Sequence, residues 1–379
     1  MMKELCVGVL GGGQLGRMLA LEARRMGYQI LQWTGGDQSG AERLADHVIT
    51  SSFDDEQGFQ EFVQRCDLAT VEFENIPKEL VERIAEHIPV RPGAKAISIC
   101  QDRELEKTFL RDHGITTADF RIVESADQLD AALQEIEGDV IIKTAQFGYD
   151  GKGQLALPVE DRISSEEAWK DFEGARAIVE KKIDLAGEFS VMVVRGIDGE
   201  VVTYDPAENE HRHHILHTSI VPARISEDLL QQAREMAISV VVALEYVGVI
   251  GVEFFMDQAG NLLVNEMAPR PHNSGHHTLD ACATSQFEQQ LRAVVGLPLG
   301  STELLKPVVM LNLLGDLWPQ ATEQPDWSSL LATPGATLHL YGKMDAKAKR
   351  KMGHANFTAE SVEQALTNAN KVFSVLEQN

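Results

Sequence analysis

Cysteine and positive charge are scarce in this sequence. Its 379 residues include four cysteines, Cys6, Cys66, Cys100 and Cys282, and no two of them form a C-x-x-C pair. We therefore expect neither a disulfide framework nor a zinc site, and the composition fits a reducing cytoplasm. Lys and Arg number 34 against 58 Asp and Glu, which gives a net charge of −24. This balance argues against nucleic acid as a main partner, because nucleic acid binds to a basic surface.

Long apolar runs and a secretory signal are also missing. The densest apolar run, Ile238 to Leu244, is interrupted by Glu245, and no run approaches the ~20 residues that cross a bilayer. The N-terminus shows no basic segment followed by an apolar core and a cleavage site, so we expect no membrane or secretory role. The composition, 44% hydrophobic and 24% charged, is that of a soluble globular protein. The length exceeds one ordinary core, which predicts two or three domains.

Two acidic residues face each other on a predicted β-hairpin. Apolar runs flank a turn-forming segment, and a tight turn at Ala259-Gly260 would place Glu253 directly opposite Glu266. Opposed residues have Cβ atoms ~4.5–5.5 Å apart, and like charges there are destabilising. A divalent cation with oxygen ligands would neutralise the pair. The alternative is a solvated sheet edge on which both acids point into water.

Polar and cationic side chains follow this hairpin closely. Arg270, His272, Asn273 and His276 occur within one short turn that contains proline and glycine. Beside a metal-carboxylate pair, such donors favour a site for phosphate or another anion.

The chain opens with a βαβ pattern. A buried strand, Leu5 to Leu10, leads into the glycine-rich turn 11–16 and a helix, and Tyr28 to Trp33 is the second strand. A G-x-G-x-x-G turn in this context is typical of dinucleotide binding. That site needs an acid at the end of the second strand, but the first acid, Asp37, lies beyond Gly35-Gly36. The alternative is a turn whose helix N-terminus suits any phosphate monoester.

Polar groups also follow a second parallel strand, predicted at Leu68 to Phe73. Glu74 and Asn75 come directly after it. Open α/β sheets bind ligands at the carboxyl ends of their strands, so both are candidate substrate contacts. The alternative is a helix-capping turn before Pro77.

A lysine precedes a glycine-rich loop in the middle of the chain. Lys143 ends a predicted strand, and three glycines follow within residues 148–153. The backbone N–H groups of such a loop can surround phosphates, although a plain hairpin turn through Asp150-Gly151 is the alternative. The next predicted strand, 177–182, places Glu180 where it can contact adenine and ribose.

Two basic stretches allow more than one interpretation. His211, His213 and His217 would share a face of one strand, but no cysteine or acid stands at ligand spacing. We therefore interpret this strand as polar and adjacent to a nucleotide pocket. The run Lys347 to Lys351 is either a solvated surface or a segment that closes over a phosphate.

Six motifs, in order along nearly the whole chain, resemble one family. They are G-G-G-Q-L-G-R-M at 11–18, E-F-E-N-I-P at 72–77, Q-D-R at 101–103, G-Y-D-G-K-G-Q at 148–154, A-P-R-P-H-N-S-G-H at 268–276 and Y-G-K…R-K-M-G-H at 341–354. The lysine-bearing strand, glycine loop and carboxylate hairpin resemble the ATP-grasp superfamily. The six motifs together resemble its N5-carboxyaminoimidazole ribonucleotide synthetase family. One departure is Ala145-Gln146-Phe147, where that family more often carries an arginine and an extra glycine.

This resemblance implies a mixed α/β and α+β architecture. The implied fold is an ATP-grasp fold with an N-terminal Rossmann-like, pre-ATP-grasp βαβ domain and a small C-terminal β-rich domain. We expect the first domain at 1–102, the ATP-grasp domain at 103–296 with a mobile lid at about 115–187, and the C-terminal domain at 297–379.

The resemblance also implies a reaction. ATP, bicarbonate and 5-aminoimidazole ribonucleotide would give the N5-carboxylated ribonucleotide, ADP and phosphate. Bicarbonate would attack the γ-phosphate, and the resulting carboxyphosphate would carboxylate the substrate amine. Mg²⁺, or alternatively Mn²⁺, would be the metal cofactor, and a cytoplasmic homodimer is expected.

The implied site residues fall into four groups. The metal would be bound by Glu253 and Glu266. ATP would be contacted by Arg103, Lys143, Gly148, Tyr149, Asp150, Gly151, Lys152, Gly153, Gln154, Glu180, Lys181, Lys182, Ile183, Glu188, His211, Asn265 and Glu266. Carboxyl transfer would depend on Asp150, Arg270, His272, Asn273 and Lys343. The aminoimidazole ribonucleotide would contact Gln14, Leu15, Glu74, Tyr149, Asp150 and Arg350.

Two other functions compete with this one. The formate-using glycinamide ribonucleotide transformylase shares the ATP-grasp fold and the N-terminal glycine-rich turn. However, its turn after the second acid carries an acid in place of Asn273 and lacks His276. A dinucleotide-dependent oxidoreductase built on the first βαβ unit would bind NAD(P)H and release no phosphate.

Overall fold

The computed structural model describes residues 5–36, 41–146, 153–161, 165–170, 172, 175–321 and 323–377. The strands are β1 (Cys6–Leu10), β2 (Gln29–Trp33), β3 (His47–Ile49), β4 (Leu68–Val71), β5 (Phe120–Val123), β6 (Val140–Thr144), β7 (Gln154–Leu157), β8 (Ala177–Lys181), β9 (Leu185–Arg195), β10 (Val201–Thr203), β11 (Ala207–Arg212), β12 (Ile215–Val221), β13 (Gly248–Asp257), β14 (Leu262–Ala268), β15 (Val308–Leu314), β16 (Ala336–Leu340) and β17 (Lys351–Thr358). The α-helices are α1 (Gln14–Arg25), α2 (Glu56–Arg65), α3 (Lys78–Ala85), α4 (Ala94–Gln101), α5 (Arg103–Asp112), α6 (Ala126–Glu135), α7 (Ser165–Lys170), α8 (Glu227–Ala243), α9 (Thr278–Ala281), α10 (Gln286–Val295), α11 (Ser328–Leu331) and α12 (Val362–Leu376).

A four-stranded parallel sheet opens the chain, in the order β3-β2-β1-β4. Every residue of β1 is buried, as expected of a parallel strand that is covered on both faces. Asp55 accepts a hydrogen bond from the Gly58 N–H and so begins α2. The predicted βαβ opening is confirmed, and the carboxyl ends of β1 and β4 lie side by side.

A nine-stranded antiparallel sheet follows, in the order β14-β13-β9-β11-β12-β15-β17-β16, with β10 beside β9. Ser226 caps α8 by accepting the Leu229 N–H at 3.4 Å, as the sequence predicts. Ala237 and Val240 of α8 belong to the same buried core cluster as Val252 of β13, where each fully buried valine contributes ~1.5–3 kcal/mol. Strands β15–β17 extend this same sheet, and α12 covers them. No helix in the described ranges has the length and apolar character needed to cross a membrane.

A smaller antiparallel sheet has the order β5-β8-β6-β7. Helix α6 covers it through Leu129, Ala132 and Leu133. Lys143 of β6 pairs with Gln154 of β7 and with Ile178 of β8. The β6–β7 hairpin therefore flanks the glycine-rich loop, although residues 147–152 lie outside the described residues.

The β13–β14 hairpin places Glu253 opposite Glu266, as predicted. The predicted tight turn at Ala259-Gly260 is wrong, however. Met256 pairs with Leu262, so a longer loop joins the strands and shifts the pairing by one residue relative to the prediction.

A β-bulge at Asn265 restores the predicted carboxylate pair. The pairing with β13 skips Asn265, and the register shifts there. Val264 and Met267 both pack into the core, whereas Asn265 and Glu266 between them are not buried. The bulge therefore turns two successive side chains away from the core, on the side that carries Glu253.

Candidate active site

The glycine-rich turn at the start of α1 is occupied by a carboxylate of the chain itself. Glu72, at the end of β4, accepts the Gly13 N–H at 2.6 Å and the Gly16 N–H at 2.9 Å. Gly11 has φ +117°, and a Cβ on it would lie 2.5 Å from the Glu72 Cγ. The carboxylate thus takes the position at a helix N-terminus that a pyrophosphate takes in a dinucleotide site. This arrangement argues against the dinucleotide hypothesis.

A cleft of about 360 Å³ opens beside this turn. It is lined by Gly12, Gly13, Gln14, Leu15, Thr34, Gly35, Phe53, Glu72, Phe73, Glu74, Arg270, His272, Asn273 and Lys351. The predicted substrate contacts at the chain opening and after β4 therefore meet the predicted carboxyl-transfer residues of the turn after β14. These segments converge because β1 and β4 are adjacent and the turn after β14 lies at their carboxyl ends.

Arg270 and Glu74 form an ion pair across the cleft. Burial disfavours the charge of Arg270, but the Glu74 carboxylate raises the pKa of the guanidinium above its ordinary value. Burial likewise disfavours the charge of Glu74, and Arg270 holds the pKa of this carboxyl below its ordinary value. Both groups stay charged, so the cleft contains an oriented cation and an oriented anion.

Asn273 presents unpartnered polar atoms to the cleft. Its residue is 6% exposed, yet neither its amide nitrogen nor its amide oxygen has a hydrogen-bond partner. Buried polar groups are nearly always hydrogen-bonded. The amide of Asn273 is therefore arranged for a ligand that both donates and accepts a hydrogen bond.

The opposed acids Glu253 and Glu266 fit a magnesium site. Burial and then the neighbouring charge of Glu266 raise the pKa of Glu253 to about 8, so a cation beside the pair would favour the ionised form of both carboxylates at neutral pH. Within the described ranges no group of three or more His, Cys, Asp or Glu residues could hold a metal ion. A two-carboxylate site suits Mg²⁺, which takes its other ligands from water and nucleotide phosphates.

His272 joins the carboxylate pair to the cleft. Its Nε2 lies 3.1 Å from the Glu253 Oε1, and its Nδ1 accepts the Ser274 N–H at 3.4 Å. Burial and then Arg270 lower the pKa of His272 well below its ordinary value. Burial thus favours the neutral ring, and acceptance at Nδ1 fits a proton on Nε2 that is directed at Glu253.

A second depression of about 380 Å³ lies between the start of β9 and the end of β11. The predicted nucleotide contacts Glu188 and His211 line it, with the His211 Nδ1 3.1 Å from the Glu188 Oε2. Burial lowers the pKa of His211, but Glu188 and then Glu253 outweigh burial and raise it. This depression therefore lies close to the carboxylate pair.

The predicted common face of the three histidines is wrong. Strand β11 ends at Arg212, and His213 and His214 form the following turn with φ 51° and 65°. His217 lies on β12 and packs against Phe373. His211 alone of the predicted face lines the depression.

Buried ion pairs connect the predicted ATP contacts of the smaller sheet. The Glu180 carboxylate lies 2.8 Å from the Lys143 Nζ and 4.0 Å from the Lys107 Nζ. Burial would raise the pKa of Glu180, but the two lysines lower it to about 2. Lys107 also donates to the Asn265 carbonyl oxygen at 2.8 Å. It thereby joins β8 to the bulge that carries the acid pair.

The remaining predicted ATP contacts lie at the rim of the Lys143–Glu180 region or outside the described residues. The Arg103 Nη1 donates to the Thr144 carbonyl at 3.1 Å, and the Gly153 carbonyl accepts the Thr144 N–H at 2.9 Å. Lys181 and Lys182 are exposed and Ile183 is half-buried at the end of β8, while Gln154 is exposed on β7. Gly148, Tyr149, Asp150, Gly151 and Lys152 lie outside the described residues.

Two predicted cations near the C-terminus do not line the cleft. The Lys343 Nζ donates to the Gln14 side chain at 2.9 Å, and the Arg350 Nη1 donates to the Asp345 carbonyl at 2.9 Å. The neighbouring Lys351 lines the cleft instead.

Three residues of this site were not predicted from the sequence as site residues: Glu72, Lys107 and Lys351. Glu72 stands inside the E-F-E-N-I-P motif, and its position at the end of β4 next to a glycine-rich turn was an available signal. Lys107 offers no signal, because a lysine on a polar helix ordinarily points into water. Lys351 belongs to the basic run and to the motif at 341–354, but neither distinguishes it from its neighbours.

The comparisons with known proteins cover the chain from end to end. The family model of the ribonucleotide synthetase preATP-grasp domain matches residues 2–101, that of the ATP-grasp domain matches 108–287, and that of the phosphoribosylaminoimidazole carboxylase C-terminal domain matches 308–368.

Individual relatives agree with these matches. The N5-carboxyaminoimidazole ribonucleotide synthase of Brucella melitensis is 44% identical over 348 residues, which are 92% of this chain and 94% of the relative. The crystal structure of an ADP complex of N5-carboxyaminoimidazole ribonucleotide synthetase superposes with a TM-score of 0.91 at 41% identity, covering 100% of this chain and 99% of that one. The Aspergillus clavatus enzyme in complex with ADP and 5-aminoimidazole ribonucleotide superposes with a TM-score of 0.89 at 31% identity, covering 100% of both chains.

The fold and the site thus define an ATP-grasp enzyme, in which the acid pair of a β-hairpin is close to residues of both a depression and a cleft. The chain belongs to the N5-carboxyaminoimidazole ribonucleotide synthase family. It is a ligase of purine biosynthesis that carboxylates 5-aminoimidazole ribonucleotide at the expense of ATP. The predicted family, fold class and enzyme class are confirmed.

Proposed function

We propose that bicarbonate supplies the carboxyl group and that carboxyphosphate carries it to the substrate amine. The observation that carries this proposal is the contact of His272, which lines the cleft, with Glu253 of the acid pair, at 3.1 Å. A γ-phosphate bound at the acid pair would therefore lie next to the cleft. An anion in the cleft could attack that phosphate without crossing bulk water.

We assign the adenosine and the phosphates of ATP to two regions near the hairpin. The depression with Glu188 and His211 takes the adenosine, together with Glu180 and the strand-end segment 181–183. Lys143, Arg103 and the glycine loop 148–154 take the phosphates, with Asn265 beside them. Lys143 lies at the end of its strand, with its Nζ 2.8 Å from the buried Glu180 carboxylate. This ion pair holds the lysine in one position, which suits phosphate binding.

Mg²⁺ bound by Glu253 and Glu266, or Mn²⁺ in its place, would neutralise the charge that moves between the phosphates. The bulge supports this assignment, because it brings Asn265 and Glu266 out of the core on the side of Glu253. His272 orients Glu253 by donating from Nε2, as outer contacts commonly do for ligating carboxylates.

The cleft residues bind and shield the reacting groups. Arg270, fixed by Glu74, orients the bicarbonate and carboxyphosphate anions, and the unpartnered amide of Asn273 hydrogen-bonds the same group. Gln14, Leu15 and Glu74 hold the ribonucleotide in the cleft, and Tyr149 contacts the aminoimidazole. Arg350 reaches the phosphate from outside the cleft lining. Asp150 is proposed to accept the proton of the amine. Exclusion of water protects carboxyphosphate from hydrolysis.

The decisive experiment uses bicarbonate labelled with ¹⁸O. If a bicarbonate oxygen attacks the γ-phosphate, one ¹⁸O appears in each released phosphate. Formate replaces bicarbonate in the control. Phosphate that carries no label, or ADP release that formate supports better, contradicts the proposal.

Asn273→Asp provides a matched variant. It installs the acid that the formate-using enzyme carries at this position, and its negative charge opposes a bicarbonate anion. We expect a loss of bicarbonate-dependent ADP release of ~100-fold, which corresponds to ~3 kcal/mol for a lost charge-sensitive hydrogen bond. Bicarbonate turnover at the native rate in Asn273→Asp would exclude this role for the amide.

We further propose the domain limits 1–102, 103–296 and 297–379, with a lid at about 115–187, and a homodimer in the cytoplasm. Limited proteolysis with and without an ATP analogue tests the lid, which should be cut more slowly with nucleotide bound. Light scattering tests the dimer, and a monomer mass at micromolar concentration would contradict it.

A further inference from the structure

A buried glutamine at the start of α10 is bonded to the turn after β14. Gln286 is the first residue of α10 and is fully buried. Its Oε1 accepts the His272 N–H at 2.9 Å, and its Nε2 donates to the His272 carbonyl oxygen at 2.8 Å. One side-chain amide thus pairs with both backbone polar groups of His272, as a neighbouring strand pairs with a residue in a β-sheet.

This pairing fixes the orientation of the Gln286 amide. A backbone N–H can only donate and a backbone carbonyl can only accept. The amide oxygen must therefore face the His272 N–H, and the amide nitrogen must face the carbonyl. The same nitrogen lies 3.0 Å from the His276 Nδ1, so it donates to this ring as well. Gln286 is thus bonded to the residues on both sides of the segment 273–275.

The backbone of Gln286 is connected to the same turn. The Thr278 hydroxyl accepts the Gln286 N–H at 3.0 Å and donates to the Gly275 carbonyl oxygen at 2.7 Å. A Cβ on Gly275 would lie 2.5 Å from the Gln286 Oε1. The turn therefore approaches the amide as closely as it does because residue 275 has no side chain.

Asn273 lies inside the segment that these contacts fix. Its carbonyl oxygen accepts the His276 N–H at 3.1 Å, whereas its side-chain amide has no hydrogen-bond partner. An unpartnered buried amide is ready for a ligand only if its backbone is kept from moving toward other partners. Gln286 supplies this constraint from the side of the turn that packs on α10.

Resting on the proposed bicarbonate-dependent function, we infer that Gln286 is a positioning residue, which fixes the turn so that His272 and Asn273 face the reacting anion in the cleft. Gln286 does not itself line the cleft, so its effect on the reaction passes through the backbone of His272. A displacement of ~1 Å in a reacting geometry can cost ~100-fold in rate. Loss of the Gln286 amide should therefore lower turnover as well as stability.

Gln289 of the same helix provides a matched control. It is fully buried, and its Oε1 accepts the Gly300 N–H at 2.9 Å while its Nε2 donates to the Gly300 carbonyl oxygen at 2.7 Å. Gly300 follows α10 and lines neither the cleft nor the nucleotide depression. Gln286→Met and Gln289→Met thus remove equivalent pairs of bonds, but only Gln286→Met removes them from the turn at the site.

The test measures ADP release against bicarbonate concentration at saturating Mg-ATP and aminoimidazole ribonucleotide. We expect Gln286→Met to lower kcat/KM for bicarbonate ~10- to 100-fold, and Gln289→Met to leave it near the native value. The urea midpoints of the two variants should fall by similar amounts, because equivalent bonds are lost. Equal losses of kcat/KM in both variants would reduce the effect to stability and overturn the inference.

Asn273→Ala tests the route through which Gln286 acts. In the Asn273→Ala background, Gln286→Met should lower kcat/KM for bicarbonate less than it does in the native background, because the amide that it positions is already gone. Fully additive losses would overturn the positioning role.

ADP affinity is the control for folding, because residues 185–188 and 209–212 line the nucleotide depression. A Gln286→Met protein that binds ADP natively and keeps a native kcat/KM for bicarbonate overturns the inference. If Gln286→Met loses ADP binding, the inference is judged on Gly275→Ala, whose added methyl group displaces the Gln286 Oε1 and removes no polar group. A native kcat/KM in that variant also overturns it. Failure of the native protein to require bicarbonate would instead refute the proposed function.

Discussion

Replacing Glu266 by glutamine removes one charge of the opposed acid pair. Two carboxylates at ~6 Å repel by ~3 kcal/mol at an effective dielectric constant of ~20. Glu266 is exposed, so solvent screening reduces the net effect to ~1 kcal/mol. In metal-free buffer we therefore expect Glu266→Gln to leave the fold intact and to raise the free energy of unfolding by ~1 kcal/mol, while turnover is abolished.

Urea unfolding in the presence of EDTA measures this effect. The measurement belongs at pH 9, because the pKa of Glu253 is raised to about 8 and both carboxylates are then ionised. Mg-ADP is added in a second series, where ligand at 100 times its Kd stabilises the native protein by ~2.7 kcal/mol. The variant should gain much less from the same addition.

Glu253→Gln completes a double-mutant cycle for the pair. If repulsion is the cause, Glu266→Gln has no stabilising effect in the Glu253→Gln background. Destabilisation of the metal-free protein by more than ~1 kcal/mol would refute the reasoning and assign Glu266 a structural role. A stabilisation that persists in the double variant would likewise exclude repulsion as its source.

Other predictions concern the groups that support the site. Gly13→Ala should raise the KM for the ribonucleotide in steady-state assays, because its Cβ would lie 2.7 Å from the Glu72 Oε1; a native KM would show that the turn tolerates movement. Lys107→Met should lower the free energy of unfolding by ~3–5 kcal/mol in urea titrations, because it leaves a buried carboxylate short of one partner; a loss under ~1 kcal/mol would contradict this. Native protein should lose ~3 kcal/mol relative to Glu180→Gln as the pH falls from 4.5 to about 2, because the folded pKa of Glu180 is depressed; a difference in urea midpoint between the two proteins that stays constant over this pH range would contradict this.

In the carboxylate hairpin, the predicted pairing of Glu253 with Glu266 is correct, although the tight turn from which it was predicted is wrong. Apolar runs identify the strands, and turn-forming residues identify the connection. They do not reveal the bulge at Asn265, because a bulge depends on how both strands pack against the core. The longer loop and the bulge each shift the register by one residue, and the two shifts cancel at Glu253 and Glu266.

The cleft shows a different limit. Arg270, His272 and Asn273 were predictable because they are close together in sequence and follow an acid. Glu72 and Lys351 are distant in sequence, and only the adjacency of β4, α1 and β17 brings them together. Sequence spacing predicts which residues share a turn, but it does not predict which side chain of a basic run enters the cleft.

The Glu72 carboxylate competes with free anions for the backbone N–H groups of the glycine turn. A phosphate that entered the glycine turn would have to displace a carboxylate that already accepts two backbone N–H groups, at a loss of ~1.5–3 kcal/mol for each bond to a charged group. Free nucleotides and inorganic phosphate are therefore disfavoured at the position inside the turn that the Glu72 carboxylate occupies. The enzyme thus has a glycine turn of the kind found in dinucleotide sites, but the Glu72 side chain occupies the position where a dinucleotide would bind.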